Sequence, residues 1–386
     1  MGCQNWRMDV REFLLWMEEA PAGRRAEAGY ALARAYLHTE VDAQTRNSME
    51  VALTLLLDDD APEVRHALAD ALGASEDSPR HIIVALAGDN AEIAAVVLSR
   101  SPLFVDPELV DIVAAASGLL QEAVARRPLV SQSVAAAIAE IGEKPACMAL
   151  LANGTAEIAR ISFQRIAERF GDDVDVREAL FARADLSPAV HQLLVRAVGD
   201  QLGAMVIDKA WLPEARACTI TREACDRATV AIAAESATEE LPALVEHLRV
   251  TGQLTTALLL RAVCAGNIAF FETALAILAH VPHHRIVQLV RGSRMNALRT
   301  AYARAGLPRF AFEAFNAALG LWLRAAKAGG AEDRYRFTLE TVDAVLACYD
   351  DISDGEMNEL ASMLRRFAAD QMREAARDHA RAAVAA

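Results

Sequence analysis

The sequence predicts an all-α fold, and within that class an α-solenoid, a superhelix built from helical hairpins. Three observations predict it. Alanine and leucine, which lose little entropy in a helix, dominate a chain with only 5% aromatic residues. Few segments show the strict alternation with β-branched residues that marks strands. A pattern of helix, turn and helix also recurs about every 30 residues.

The recurring pattern is clearest in the first half of the chain. Each unit ends one apolar helix, passes through a short turn rich in Asp, Asn, Gly or Ser-Pro, and begins a second helix. Four segments share it, namely residues 55–72, 84–101, 148–165 and 179–196. With a fifth unit in the gap, the early apolar positions are Val64, Ile93, Val124, Ile158 and Val190. Each hairpin has one apolar face that it buries only by stacking on its neighbours.

Prolines after short polar side chains predict where several helices begin. Proline loses no hydrogen bond at the first helical position, and an Asp or Ser before it can cap the helix. The predicted pairs of cap and proline are Asp60 with Pro62, Asp106 with Pro107, and Ser187 with Pro188.

The length of 386 residues exceeds what one compact core accommodates, which leaves two domains or an elongated array. We predict an N-terminal helical cap, a repeat array, degenerate helical repeats and a C-terminal helical cap. Their predicted ranges are 1–45, 46–200, 201–325 and 326–386. An amphipathic helix in the first segment, with Trp6, Phe13, Leu14 and Trp16, is predicted to pack on the first repeat; a dimer or partner contact is the alternative.

The charge is unevenly distributed along the chain. The net charge is −14, and residues 1–200 hold 18 Lys and Arg against 31 Asp and Glu, whereas residues 201–386 hold 21 against 22. An acidic surface repels phosphate backbones, which argues against nucleic-acid binding by the first half.

A basic segment interrupts this acidic background. Residues 273–312 contain no Asp or Glu, and the six arginines there are Arg285, Arg291, Arg294, Arg299, Arg304 and Arg309. One interpretation is that they are spread around several helices and pair with acids from elsewhere. The other is a surface for anions or an acidic partner, because guanidinium groups suit carboxylate and phosphate.

Short motifs for common chemistries are missing from the sequence. It has no phosphate loop, dinucleotide fingerprint, HExxH or GxSxG. The histidines of HVPHH (280–284) lack further ligands nearby and are predicted to lie in a solvated turn, and Cys218 and Cys225 are predicted to be core thiols on one helix face. We therefore predict no catalytic residue, no metal and no cofactor.

No apolar run is long enough to cross a membrane, and acidic residues occupy the N-terminal region where a signal peptide would be basic and then apolar. We predict a cytoplasmic protein.

The segment DDAPEVRHALADALG (59–73) resembles a HEAT repeat, with an acidic turn, a proline and a Val-Arg pair. The resemblance implies that Arg65 bonds to an acidic turn residue of the adjacent repeat. The aligned units carry Ala94, Ala159 and His191 at this place, which puts a continuous arginine ladder in question.

A longer resemblance covers residues 45–280. The runs AAVVLSRSPLFVDPELVDIVAAAS, QEAVARRPLVSQSVAAAIAEIG and LLANGTAEI, with LTTALLLRAVCAGNIAFFETALA in the second half, resemble the bacterial family called domain of unknown function 2336. The resemblance implies the helical fold, and it implies no biochemical activity.

The leading functional hypothesis is a non-catalytic interaction scaffold or regulatory adaptor, whose partner is another protein and not a nucleic acid. We predict no small-molecule ligand. The alternative is a HEAT-like DNA-repair glycosylase or another nucleic-acid-binding enzyme, with Arg285 to Arg309 supplying charge and Trp322 and Glu313 nearby in sequence. A sensor that holds a small ligand between repeats stays open.

Overall fold

A computed structural model describes residues 16–17, 19–292, 294–327, 334–348 and 355–385. These residues form α-helices, two short 3₁₀ turns and connecting loops, with no strand among them. The predicted all-α class is confirmed. The chain divides into two compact units, which we call the N-terminal and C-terminal units, and the division falls between Asp185 and Leu186.

The N-terminal unit is a succession of short helices. They are α1 (Ala22–His38), α2 (Ala43–Leu55), α3 (Pro62–Leu72), α4 (Arg80–Ala87), α5 (Ala91–Arg100), α6 (Asp106–Ala115), α7 (Gly118–Ala125), α8 (Gln132–Ile141), α9 (Lys144–Ala152), α10 (Arg160–Phe170) and α11 (Val174–Phe181). A 3₁₀ turn (Leu56–Asp58) follows α2.

The helices of this unit pack on the second helix along the chain. In one series each helix contacts the next member, and this series is α1, α3, α5, α7, α9 and α11. A second series packs in the same way and consists of α6, α8 and α10. Alternate helices therefore form two layers, which is the arrangement of an α-solenoid. The apolar stripes face inward, since Val64, Ile93 and Val124 in α3, α5 and α7 are buried.

One term of the repeat series was placed in the wrong layer. Ile158 is only half-buried and lies in the loop before α10, and α10 packs on α8. The helix that follows α7 in its own layer is α9, which buries Cys147 and Leu150. The aligned segment 148–165 was therefore out of phase by one helix.

The prolines mark helix starts better than the predicted caps do. Helices begin at Pro62 and, in the C-terminal unit, at Pro188, as predicted. The residue at the cap position of α3 is Ala61, however, and the Ser187 side chain makes no capping bond. Helix α6 begins at Asp106 itself, one residue earlier than predicted.

Polar side chains tie the carboxyl ends of stacked helices together, and we call these contacts the carboxyl-end clamps. Arg127, just after α7, donates to the carbonyls of Leu98 and Ser101 at the end of α5, at 2.5 and 2.6 Å. Asn153, just after α9, donates to the carbonyls of Ala125 and Arg127 at 2.9 and 2.8 Å. The last carbonyls of a helix have no partner within it, and these donors satisfy them.

Carboxyl-end clamps also occur at the end of the unit and in the second layer. Arg183, after α11, donates to the carbonyl of Asn153 at 2.9 Å. In the other layer Arg169, in the last turn of α10, donates to the carbonyls of Ala139 and Gly142 at the end of α8, at 2.7 and 2.8 Å. A cation near a helix carboxyl end also interacts favourably with the helix dipole.

The amino ends of the first layer carry ion pairs between successive helices. A basic residue in the first turn of one helix pairs with an aspartate just before the next helix of the layer, at nitrogen–oxygen distances of 2.5–2.7 Å. The three pairs are Arg25 with Asp59, Arg65 with Asp89, and Lys144 with Asp173. The contact that the HEAT resemblance implies for Arg65 is present. Arg25 is the fourth residue of α1, as Arg65 is of α3, whereas Lys144 is the first residue of α9.

These pairs shift the titration of the aspartates. The hydrogen bond from the basic partner is the main cause that lowers the pKa of Asp59, Asp89 and Asp173 below its ordinary value.

The C-terminal unit begins with two long helices, α12 (Pro188–Asp208) and α13 (Glu214–Glu235). The helices that follow are α14 (Leu241–Val250), α15 (Thr256–Cys264), α16 (Ile268–Ala279), α17 (His283–Arg291), α18 (Met295–Arg304), α19 (Phe312–Lys327), α20 (Arg334–Ala347) and α21 (Gly355–Ala385), with a 3₁₀ turn at Arg309–Ala311 before α19.

Helix α15 is the centre of this unit. Packing on the second helix along the chain continues from α12 through α14 and α16 to α18, but α19, α20 and α21 then return to contact α15. Every residue from Leu258 to Cys264 is buried as a result. A helix that is apolar on all sides is expected inside a core. The helical pair α20 and α21 thus belongs to the same core as α15.

Parts of the predicted four-part division lie outside the described residues. These are Trp6, Phe13 and Leu14 of the predicted N-terminal helix, and residues 328–333 at the predicted start of the C-terminal cap. Trp16 is described and is 43% exposed. The division itself stays a prediction.

Candidate functional site

The six predicted arginines are all exposed side chains of the C-terminal unit, and we call them the arginine surface. Two lie on α17, two on α18, one just before α18 and one in the 3₁₀ turn before α19. In that order they are Arg285 and Arg291, Arg299 and Arg304, Arg294, and Arg309. The prediction had named them from the absence of acids in the sequence.

The two acids that bound this segment fold back onto it. Glu272 in α16 lies 3.6 Å from Nε of Arg291, and Glu313 in α19 accepts a hydrogen bond of 2.5 Å from Nη2 of Arg299. Two of the six arginines therefore have acidic partners, which the first interpretation expected for the whole set.

The other four arginines have no acidic partner within ion-pair distance among the described residues. They are Arg285, Arg294, Arg304 and Arg309. Their guanidinium groups are exposed on neighbouring elements of one unit. This part of the surface keeps the positive charge that the second interpretation requires.

Glu272 is unusual among the described acidic residues because it is 1% exposed. Its Oε1 accepts no hydrogen bond from the described residues. Burial raises the pKa of this carboxyl, while Arg291 and His283 on α17 act in the opposite direction. Since Arg291 is 67% exposed, a buried carboxylate here holds a guanidinium that solvent and ligands can reach.

A cavity of about 500 Å³ opens between α18 and the start of α19, and we call it the guanidinium cavity. Two members of the arginine surface line it. Its polar and aromatic lining includes Asn296, Arg299, Thr300, Arg309, Phe312 and Glu313.

The turn after α18 brings the two arginines together. Gly306 has φ +74°, a left-handed conformation that favours glycine, and the chain reverses there. Tyr302 fixes the reversed segment, because its hydroxyl donates to the carbonyl of Pro308 at 3.0 Å and its ring meets Phe312 edge-on at 5.2 Å. Arg309 thereby lines the same cavity as a side chain ten positions earlier in sequence.

A second cavity, of about 340 Å³, was not predicted from the sequence, and we call it the charged cleft. Its lining includes Glu223 and Asp226 of α13, Thr255 and Thr256 at the start of α15, and Arg366 of α21. Arg366 forms a two-pronged pair with Glu223, with Nε 3.0 Å from each carboxylate oxygen. Burial raises the pKa of Asp226.

A buried arginine lies behind the charged cleft. Arg261 of α15 is 3% exposed, donates to the backbone carbonyl of Glu223 at 2.7 Å, and lies over the ring of Phe367. Its Nε has no partner among the described residues. The signal in the sequence was an arginine inside the otherwise apolar run TALLLRAVC.

The free end of the hairpin formed by α12 and α13 was not predicted from the sequence either. Leu202, Met205, Trp211 and Ile220 are large apolar side chains there with 43–66% of their surface exposed. Cys218 lies in the same region and is exposed, so the prediction of a core thiol is wrong for it. Cys225, closer to the base of the hairpin, is buried as predicted.

The remaining candidates have ordinary surroundings. His280, His283 and His284 are exposed as predicted, but only His280 lies in the turn, because His283 and His284 begin α17. The described residues contain no cluster of His, Cys, Asp and Glu that could hold a metal ion. Trp322 packs edge-on against Phe337, with 4.6 Å between ring centroids, and against Gly266. Its ring is therefore engaged in packing, and Glu313 is paired with Arg299.

These features describe an all-α protein built from stacked helices, with an exposed arginine surface in its C-terminal unit. The family model described as "Uncharacterised protein conserved in bacteria (DUF2336)" matches residues 93–352. The chain belongs to this family, as predicted, although the match begins and ends later than residues 45–280. No curated protein and no solved structure matches the chain.

Within the described part of the chain, no helix combines the length and apolar character that crossing a membrane requires.

Proposed function

We propose that the protein is a non-catalytic interaction scaffold that binds an acidic partner protein through the arginine surface. The observation that carries the proposal is the set of four exposed guanidinium groups with no acidic partner among the described residues, namely those of Arg285, Arg294, Arg304 and Arg309. They belong to one unit of a chain whose net charge is −14. Arginine is enriched at protein interfaces, and complementary charge accelerates association.

Stacked helices support a binding role because they present extended surfaces built from successive repeats. The N-terminal unit has this layered arrangement, held by the carboxyl-end clamps and by the ion pairs at the amino ends. In this proposal it is a stable scaffold, while the arginine surface provides contacts to the partner.

The test is retention of partners from native lysate by the full chain and by charge-reversal variants. The surface variant carries Arg285→Glu, Arg294→Glu and Arg304→Glu. Arg291 and Arg299 are left unchanged because reversal there would place a carboxylate beside Glu272 or Glu313. The matched control reverses three exposed arginines outside the surface, Arg34→Glu, Arg216→Glu and Arg365→Glu, and changes the net charge equally.

We expect the surface variant to lose partners that the wild type retains at near-physiological salt, and the control to keep them. Wild-type retention should weaken as salt rises, because exposed charges are screened. Equal loss in both variants, or no loss in either, would contradict the proposal. Turnover of a small molecule by a pure protein that retains no partner would contradict it as well.

A further inference from the structure

The guanidinium cavity combines groups that recognise one kind of ligand. Arg299 and Arg309 supply two guanidinium groups from different elements, and the side chains of Asn296 and Thr300 line the same space. A guanidinium presents a planar fork of donors that matches the oxygens of phosphate and carboxylate groups. The volume of about 500 Å³ is ample for such a group with part of the molecule that carries it.

Arg299 is held in place before any ligand arrives. Its guanidinium carbon lies 4.9 Å from the centroid of the Phe312 ring, and its Nη2 donates to Glu313. Phe312 is itself fixed by its edge contact with Tyr302. A preorganised guanidinium loses less side-chain entropy on binding than a mobile one.

Arg309 is the available partner in this cavity. It is exposed and has no acid within ion-pair distance in the described part of the chain, whereas Arg299 already has Glu313. Glu313 is 59% exposed, so it can turn away from Arg299 into water. A ligand must compete with this single carboxylate for Arg299, and a group with more than one negative charge, bound by both arginines, has the advantage.

We propose that the guanidinium cavity binds a phosphomonoester dianion. This inference rests on the proposed function in one respect, since a phosphorylated side chain of the acidic partner is one source of the group. A free small phosphate compound is the other. Glu313 acts as an internal competitor that occupies Arg299 when the phosphate is absent.

The experiment measures binding of three probes to the full chain by isothermal titration calorimetry. The probes are phenyl phosphate, a phosphoserine peptide, and the same peptide with aspartate in place of phosphoserine. We expect both phosphorylated probes to bind and the aspartate peptide to bind at least about tenfold more weakly, because it has one negative charge fewer. Tighter binding of the phosphopeptide than of phenyl phosphate would identify a protein source.

Four variants locate the site. Arg309→Gln and Arg299→Gln should each weaken phenyl phosphate binding by about tenfold or more. Glu313→Gln should strengthen it, because the competitor is removed. Arg304→Gln is the control and should leave it unchanged, because Arg304 is exposed, lies on α18 outside the cavity and has no acidic partner in the described part of the chain. Thermal melting of each variant establishes that it is folded.

The proposal is wrong if phenyl phosphate does not bind, or if Arg304→Gln weakens binding as much as Arg309→Gln does. It is also wrong if Glu313→Gln weakens binding. These results are separable from the proposed function. If the triple surface variant loses partners and phosphate does not bind, the scaffold proposal is supported and the phosphate site is rejected. If phosphate binds but no partner is retained, the phosphate site is supported and the scaffold proposal is rejected.

Discussion

Individual side chains in the N-terminal unit stabilise the stack by donating to main-chain carbonyls. Arg127 is 7% exposed and reaches two such carbonyls at the end of a neighbouring helix. Burial lowers the pKa of its guanidinium, and its buried Nε has no hydrogen-bond partner among the described residues. The preceding residue, Arg126, is exposed, follows α7 directly and pairs with Glu122 of that helix.

We expect Arg127→Ala to lower the free energy of unfolding by about 2–4 kcal/mol, since two buried carbonyls lose their donors. Urea unfolding followed by circular dichroism measures it. Arg126→Ala should change the value by less than about 0.5 kcal/mol. Similar effects of the two substitutions would show that the carboxyl-end clamp contributes little.

Glu272→Gln should stabilise the protein at neutral pH. Because the folded-state pKa of Glu272 is raised above its ordinary value, the folded state binds this proton more readily than the unfolded state, and wild-type stability falls as pH rises through that interval. Each pKa unit of such a shift costs about 1.4 kcal/mol above the interval.

Urea unfolding of both proteins between about pH 5 and pH 8 tests this expectation. The advantage of Glu272→Gln should be largest at the alkaline end and should shrink as the pH falls. An advantage that grows toward acid would mean that the pair with Arg291 dominates the energy of this carboxylate.

The absence of acids in the sequence singled out six arginines but did not indicate which of them are paired. A run without acids is visible in one dimension, and its six arginines are exposed. The partners Glu272 and Glu313 stand at the two ends of that run, and the turns after α16 and α18 bring them back to it. Such long-range returns depend on packing, which residue spacing does not encode.

At the scale of elements, proline positions and apolar spacing predicted where helices lie better than they predicted which layer each helix joins. Pro62 and Pro188 begin helices, and Val64, Ile93 and Val124 face the interior of successive members of one layer. The error at Ile158 arose because two layers have similar apolar patterns. Local sequence does not tell which layer a helix joins when one hairpin is shorter than the others.

Helix α15 is the element on which the C-terminal unit depends most. Leu259→Ala should lower the free energy of unfolding by about 2–5 kcal/mol, because Leu259 has no exposed surface and its loss leaves a cavity. Val250→Ala, at a position 70% exposed at the end of α14, is the control, with a change of about 0.5 kcal/mol or less. Chemical unfolding measures both. A small effect at Leu259 would indicate that the core around α15 relaxes to fill the space.

At the scale of the whole molecule, charge separates the proposed scaffold from the nucleic-acid-binding alternative. Residues 1–200 are strongly acidic, and Trp322, the aromatic residue that the alternative hypothesis named, is packed against Phe337 and Gly266. We expect no shift of duplex DNA in a gel assay at about 50 mM salt. A strong shift that disappears at higher salt would favour the alternative.

The all-α class and the stacking of hairpins were predictable because composition and period report directly on helices and their repetition. The closure of α19, α20 and α21 onto α15 was not, since the period fades beyond about residue 200 while these contacts join residues far apart in sequence, such as Arg261 and Phe367. Arg261 inside an apolar run was the visible sign that this core differs from a simple stack.

The carboxyl-end clamps have a consequence for how such a chain can change over evolutionary time. Every residue type offers a main-chain carbonyl, so mutation of Leu98, Ser101, Ala125 or Ala139 cannot delete the acceptor. Substitution of the acceptor residue therefore leaves the hydrogen bond in place, and only the donor side chain must be retained. Helices joined in this way can diverge in sequence, including their exposed faces, while the spacing of the stack stays the same.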